Sequence, residues 1–303
     1  MSAIRSLDPQ SMPIADLQSC LQHGIAPRPI CFVSTINAAG DINLSPFSFF
    51  NMFSTMPPVC IFSPSRRVRD NTIKHSLENV LEVPEAVINI VSYNMVQQVS
   101  LASTEYPRGV NEFEKAGLAM VASDLVKPPR VAASPMQLEC KITEVKPLGI
   151  GPGAGNLVFA EVIRIHIRED VLDQQGDIDQ AKIDLVARLG ANWYCRVTPE
   201  TLFEVEKPLR SIGIGVDSLP LHVRNSTILT GNDLGRLGNM AKTPSEKQLS
   251  QVALIPEILA IFSTYKGFNK DICMEQLHLV AKDRILKNDL ETALAILWLN
   301  PNP

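Results

Sequence analysis

Asn43-Leu44-Ser45-Pro46-Phe47-Ser48-Phe49-Phe50-Asn51-Met52-Phe53-Ser54 places four phenylalanines and three serines within twelve residues of a chain that is only 6% aromatic. Aromatic and small hydroxyl residues in alternation suit a pleated, half-buried surface. Upstream, Pro29–Ile36 is an apolar, partly β-branched run, and Ala38-Ala39-Gly40-Asp41 supplies turn residues. The two extended runs, Pro29–Ile36 and Ile42–Ser54, therefore read as a hairpin. Downstream, Val59–Phe62 and Ala86–Val91 are apolar runs of strand length, and between them Asp70–Val83 carries apolar residues at near-helical spacing. Met136–Val145 and Asn156–Ile167 predict a long strand pair joined by Gly149-Ile150-Gly151-Pro152-Gly153-Ala154-Gly155. Many strands with few long helices predict a mainly β fold with flanking helices, closed as a barrel.

After Pro208 the character turns helical. Thr243-Pro244-Ser245-Glu246 and Asn288-Asp289-Leu290-Glu291 read as capping boxes, and Pro256 should break or kink the segment between Gln248 and Tyr265. The expected organisation is a barrel domain over 1–207 and an α-helical extension over 208–303.

Composition excludes several classes of function. The 28 basic and 32 acidic residues leave a net charge of −4, so no global field recruits nucleic acid or a membrane surface. No signal-type apolar segment or run long enough to span a bilayer is present, which predicts a cytoplasmic protein. The six cysteines lack a C-x-x-C pair, and the five histidines (His23, His75, His166, His222, His278) lack zinc-ligand spacing. Neither a metal site nor a disulfide scaffold is signalled, and most of the thiols should be small core residues. The glycine loop at 149–155 lies between strands and lacks a lysine-serine ending, so it reads as a hairpin connection rather than a nucleotide loop.

Two segments carry candidate chemistry. The aromatic stretch could lay a flat, hydrogen-bonding wall against a planar ring system, or could be an ordinary phenylalanine-rich core strand. The second segment, Ser63-Pro64-Ser65-Arg66-Arg67-Val68-Arg69-Asp70-Asn71-Thr72-Ile73-Lys74-His75-Ser76, concentrates cations and hydroxyls where a helix should begin. That pattern suits a phosphate cradle or a solvated basic turn. Taken together, they describe a cofactor flat at one end and phosphorylated at the other.

These residues resemble a known family. Arg28-Pro29-Ile30, Val33-Ser34-Thr35, the stretch Asn43 to Asn51, Pro57-Pro58 and Phe62-Ser63-Pro64 are similar to the flavin reductase-like FMN-binding split-barrel family, in its flavoredoxin-type branch. Lys74-His75-Ser76-Leu77-Glu78-Asn79-Val80 resembles that branch's K-D-T-L-x-N-I element, with His75 and Ser76 in place of Asp and Thr. Val87–Val91, Tyr106–Phe113, Lys127–Val131 and Ala187–Gly190 near Trp193-Tyr194 extend the likeness over about residues 20 to 207. The resemblance implies a six-stranded antiparallel barrel, usually a homodimer, with non-covalent FMN near the subunit interface. It implies that Ser45, Pro46, Phe47, Ser48, Phe49, Phe50 and Asn51 line the isoalloxazine, that Ser63, Lys74 and Ser76 lie near the phosphate, and that Arg28 is a further contact. No catalytic residue is assigned, because the hydride chemistry belongs to the flavin and the protein supplies orientation and charge stabilisation. The implied activity is an NAD(P)H-dependent flavin reductase using NADH or NADPH. The alternatives are a flavoredoxin-like electron carrier served by a redox partner protein, and a flavin-binding or storage module.

Overall fold

The computed structural model describes residues 3–205, 207, 212–265 and 270–300. They form two compact units, Met1–Phe203 and Glu204–Pro303. The change of character at Pro208 falls outside the described residues. Among the described residues no helix is long and apolar enough to cross a membrane.

The first unit contains strands β1 (Arg28–Pro29), β2 (Cys31–Ile36), β3 (Ile42–Phe47), β4 (Phe50–Thr55), β5 (Pro58–Phe62), β6 (Glu85–Ile90), β7 (Met120–Val121), β8 (Arg130–Val131), β9 (Met136–Pro147), β10 (Asn156–Ile167), β11 (Val186–Arg188) and β12 (Tyr194–Arg196). Its helices are α1 (Ile14–Gly24), α2 (His75–Glu82), α3 (Val96–Ala102) and α4 (Glu112–Ala116). Seven strands make one antiparallel sheet in the order β3-β2-β6-β9-β10-β5-β4. β3 and β4 are therefore the two edges, yet only Ser48 and Phe49 connect them. Two residues span at most about 11 Å between flanking Cα atoms. The sheet must curl until its edges nearly meet, and the Phe47 ring accordingly lies 5.2 Å from Phe62 of β5. The implied six strands become seven because the run 42–54, read as continuous, is divided between the two edges of the split.

Alternation along each strand then decides what lies inside. Cys31, Val33, Ile88, Leu138, Cys140, Val158 and Ala160 face the barrel interior with Phe47 and Phe62, and Leu77 and Val80 of α2 pack into the same cluster. Phe32 and Leu44 face outward against Val99 of α3 and Phe113 and Ala116 of α4. Four of the six cysteines are buried. Burial pushes the thiols of Cys31 and Cys140 up, which keeps them protonated and inert. The edge strand β3 is blunted by Glu112, whose buried carboxylate accepts the Leu44 N–H at 2.8 Å.

The helix expected over Asp70–Val83 is shorter, beginning at His75. Asp70 Oδ1 accepts both the N–H and the hydroxyl of Thr72 at 3.0 and 2.6 Å, and Asn71 adopts φ +58°, a local alternative to helix.

The second unit is helical: α5 (Leu221–Arg224), α6 (Gly231–Gly238), α7 (Glu246–Ala253), α8 (Pro256–Thr264), α9 (Lys270–Leu286) and α10 (Leu290–Trp298). It has its own core, including Leu237, Ile258, Leu277, Ile285 and Leu294. Pro256 separates α7 from α8 and occupies the first turn of α8. The caps sit elsewhere than expected: Ser245 pairs with Gln248, and Asp289 caps α10 because Asn288 is left-handed at φ +61°.

Candidate functional site

The seam between β3 and β4 gathers the expected residues. Both are edge strands, so the backbone on the outer side of each has no neighbouring strand, although Pro46 can offer only its carbonyl there and the Phe49 carbonyl is taken by the Ser63 N–H. Phe47 is buried, Ser45, Pro46, Ser48 and Phe50 are half-buried, and Phe49 and Asn51 are exposed. The seam therefore has the apolar Phe47 beneath it and half-buried to exposed residues along its rim. Asn51 bonds locally, its Oδ1 accepting the Met52 N–H at 2.8 Å.

Beyond one end of this wall lies the basic segment. Lys74 Nζ sits 5.0 Å from the Phe47 ring centroid. The side chain is half-buried, and it forms no ion pair among the described residues. Burial first, and the neighbouring Arg67 second, push its ammonium below the ordinary lysine range, while Glu105 opposes them weakly. A partly desolvated cation in no ion pair stabilises an incoming anion. The arginines have other duties. Arg66 clamps Asn71 through its side-chain oxygen at 2.7 Å and its carbonyl at 2.8 Å. Arg67 pairs with Glu105 at 3.0 Å and holds Thr72 and Ile73, and Arg69 pairs with Asp70 and Glu105.

The glycine loop buttresses this turn from behind: Arg66 N–H donates to the Ala154 carbonyl at 2.8 Å and Gly153 N–H to the Arg66 carbonyl at 3.1 Å. Gly153 has φ +81°, and a Cβ on Gly155 would come 2.8 Å from Ser63 Oγ. Ser63 is half-buried, and its N–H donates to the Phe49 carbonyl at 2.8 Å, tying the cradle to the aromatic wall.

Two expected residues are placed with their groups already engaged. Ser76 is fully buried, and its hydroxyl accepts from Asn43 Nδ2 at 2.9 Å. Arg28 donates to the carbonyls of Gln22, Ile25 and Leu189 at 2.6, 2.7 and 2.9 Å, fastening α1 and the 189 loop to β1. Its Nε, however, is buried without a partner among the described residues, and its guanidinium lies 6.0 Å from the Phe49 ring. Sequence reasoning missed Asn43, Asn71 and Gly155, which hold the site together. Of these only Asn71 is left-handed, at φ +58°, and the tolerance of asparagine for that conformation is a signal for it alone.

A barrel split along an aromatic seam, with a half-buried lysine beside it that forms no ion pair among the described residues, suits a flat anionic group. The profile of the "Flavin reductase like domain" matches residues 23–182, and the chain belongs to this flavin reductase-like family. An uncharacterised protein of Aquifex aeolicus is 36% identical over 181 residues, 60% of this chain and 90% of that one. The nitrilotriacetate monooxygenase component B of Bacillus cereus is 26% identical, with a TM-score of 0.63 over 68% of this chain and all of that one. The flavoredoxin of Desulfovibrio vulgaris shares the fold at 19% identity, with a TM-score of 0.50 over 59% of this chain and 90% of that one. The matched segment contains all the residues of the seam, and the helical unit lies beyond it.

Proposed function

We propose that the chain binds one FMN non-covalently along the seam and works as an NAD(P)H-dependent flavin reductase. The observation that carries this reading is Lys74: a half-buried ammonium, partly desolvated and in no ion pair among the described residues, 5.0 Å from the Phe47 ring of the aromatic wall. It fits one end of a flavin phosphate, and the orphaned Nε of Arg28 beside Phe49 offers a further donor to the same ligand. When bound, the flavin supplies the hydride-accepting ring. Ser45–Asn51 then present backbone donors and acceptors to its polar edge, Phe47 and Phe50 exclude water from one side, and Lys74 with Ser63 anchors the phosphate. Ser76 acts behind them by fixing Asn43.

We also infer a homodimer closed over the edge strand β4. Met52, Phe53 and Met56 are 66, 65 and 89% exposed, an apolar surface that a second copy would cover. The deciding experiment mixes the flavin-loaded protein anaerobically with NADH or NADPH. Bleaching of the flavin absorbance at a rate saturating in nucleotide is the expected result. A flavin that stays oxidised with both nucleotides refutes the reductase.

A further inference from the structure

Two arginines face each other across the short ladder of β1 and β11. Arg28 and Arg188 are direct register partners, and directly opposed residues share a face. Like charges placed this way destabilise a sheet. No carboxylate relieves them: among the described residues neither guanidinium forms an ion pair, and the charge that acts on Arg28 is that of Arg188. Arginine does not shed its proton in a protein, so the pair stays doubly positive.

The fold uses only part of each side chain. Arg28 is 8% exposed, its Nη1 and Nη2 donate to the carbonyls of Gln22, Ile25 and Leu189, and its Nε is buried without a partner. Those bonds fasten α1, but they do not call for a second cation opposite. Arg188 is half-buried, stands 4.4 Å from the Tyr194 ring centroid and donates through Nη2 to the Ala191 carbonyl. Its Nε and Nη1 have no hydrogen bond among the described residues and, unlike Arg28 Nε, are open to solvent. The turn after Arg188 is held in place: Ala191 has φ +48°, and a Cβ on Gly190 would come 2.2 Å from His23 Cδ2 of α1.

The pair also adjoins the aromatic wall. The Arg28 guanidinium lies 6.0 Å from the Phe49 ring, whereas Lys74 lies 5.0 Å from that of Phe47. With the flavin phosphate on Lys74, the two arginines are left for a second anion beside the wall. The other reactant of a flavin reductase, a pyridine dinucleotide, carries a negative charge on each of its bridging phosphates, which matches two opposed cations.

We propose that Arg188, backed by Arg28, receives the phosphates of the reduced pyridine nucleotide. The assignment rests on the flavin reductase reading and adds the site of its second substrate. Isothermal titration of the full-length, FMN-loaded protein with ADP-ribose, the donor without its nicotinamide, and with adenosine, which has no phosphate, tests it. One ADP-ribose per chain is expected, with adenosine at least about tenfold weaker and with Arg188→Gln weakening ADP-ribose about tenfold. Arg188→Lys, which keeps the charge and loses the planar fork, should fall between. In the native protein inorganic pyrophosphate should compete with ADP-ribose, a measurement that needs no variant. In anaerobic bleaching, the rate with NADH or NADPH relative to that with the uncharged N-benzyl dihydronicotinamide should fall about tenfold in Arg188→Gln.

The proposal is overturned by the absence of saturable ADP-ribose binding, by equal binding of adenosine, by a failure of pyrophosphate to compete, or by native affinity in Arg188→Gln. Weakened FMN in Arg188→Gln would assign the pair to the flavin and overturn it too. A protein that binds ADP-ribose as expected yet bleaches with neither donor refutes the reductase and this assignment with it. Bleaching whose ratio between the two donors is indifferent to Arg188→Gln refutes the assignment alone.

Discussion

Replacing Lys74 by methionine removes one charge and little else. The thioether keeps an apolar stem over Phe47, and no carboxylate among the described residues loses a partner. The fold should therefore hold, less the cation–π contact, which is worth about 0.5–2 kcal/mol. A charge-assisted bond to phosphate contributes about 1.5–3 kcal/mol. At about 1.4 kcal/mol per tenfold, FMN should bind roughly 10- to 150-fold more weakly. Riboflavin, which has no phosphate, should bind the variant and the native protein alike. The assay is quenching of flavin fluorescence during titration with each ligand, and the quantity read is the ratio of the two affinities. Ser76 is a poorer target, because Ser76→Ala would remove the nearer of the two acceptors of the buried Asn43 amide, leaving only Ser45 Oγ at 3.3 Å, at a stability cost of about 1 kcal/mol. An unchanged FMN-to-riboflavin ratio in Lys74→Met, with the fold intact, would show that the phosphate lies elsewhere.

The helical unit should be acid-sensitive. Ser226 Oγ accepts the Ile228 and Leu229 N–H groups at 3.2 and 3.1 Å, so its proton goes to His278 Nδ1 at 2.9 Å, and His278 Nε2–H donates to His222 Nδ1 at 3.0 Å. Burial first, and His222 second, push the His278 pKa down to about 4. The unfolded chain, with histidine near 6.5, takes the proton more readily, so stability is full above about pH 6.5 and falls towards pH 4. Melting followed by circular dichroism between pH 7.5 and 4.5 should show this loss, by at most about 3 kcal/mol, and His278→Gln should reduce it. Gly155→Ala forces Ser63 Oγ away from a Cβ at 2.8 Å, so FMN affinity should fall several-fold with little change in melting temperature. Met52→Glu with Met56→Glu should convert the dimer to monomer on a sizing column, and a native chain already monomeric at micromolar concentration would remove the interface.

The strands of the barrel were legible as local patterns. Ala86–Val91 and Asn156–Ile167 read as strands because apolar runs of that length, bounded by turns, have few other stable conformations. The helical tail was legible from caps and periodicity, although Ser245 and Asp289 took capping roles one or two residues from those expected. Helix ends depend on which side chain reaches a backbone N–H, and neighbouring candidates compete.

What the sequence by itself determined was the set of parts: an aromatic and serine-rich run, a cationic turn, and the ordered motifs of the flavin reductase-like family. It could not show that Ile42–Ser54 breaks after Phe47, because nothing local distinguishes one long strand from two edges of a closing sheet. Nor could it separate the cations by role. Arg66, Arg67 and Lys74 read alike along the chain, but Asn71 and Glu105 occupy the two arginines, and only Lys74 is left desolvated and unpaired. The Arg28–Arg188 pair was equally hidden, its members joined only by the ladder of β1 and β11. Pairing, burial and the loss of water are properties of distant segments brought together, and so only the tertiary structure decided which charges are spent on the fold and which remain for a ligand.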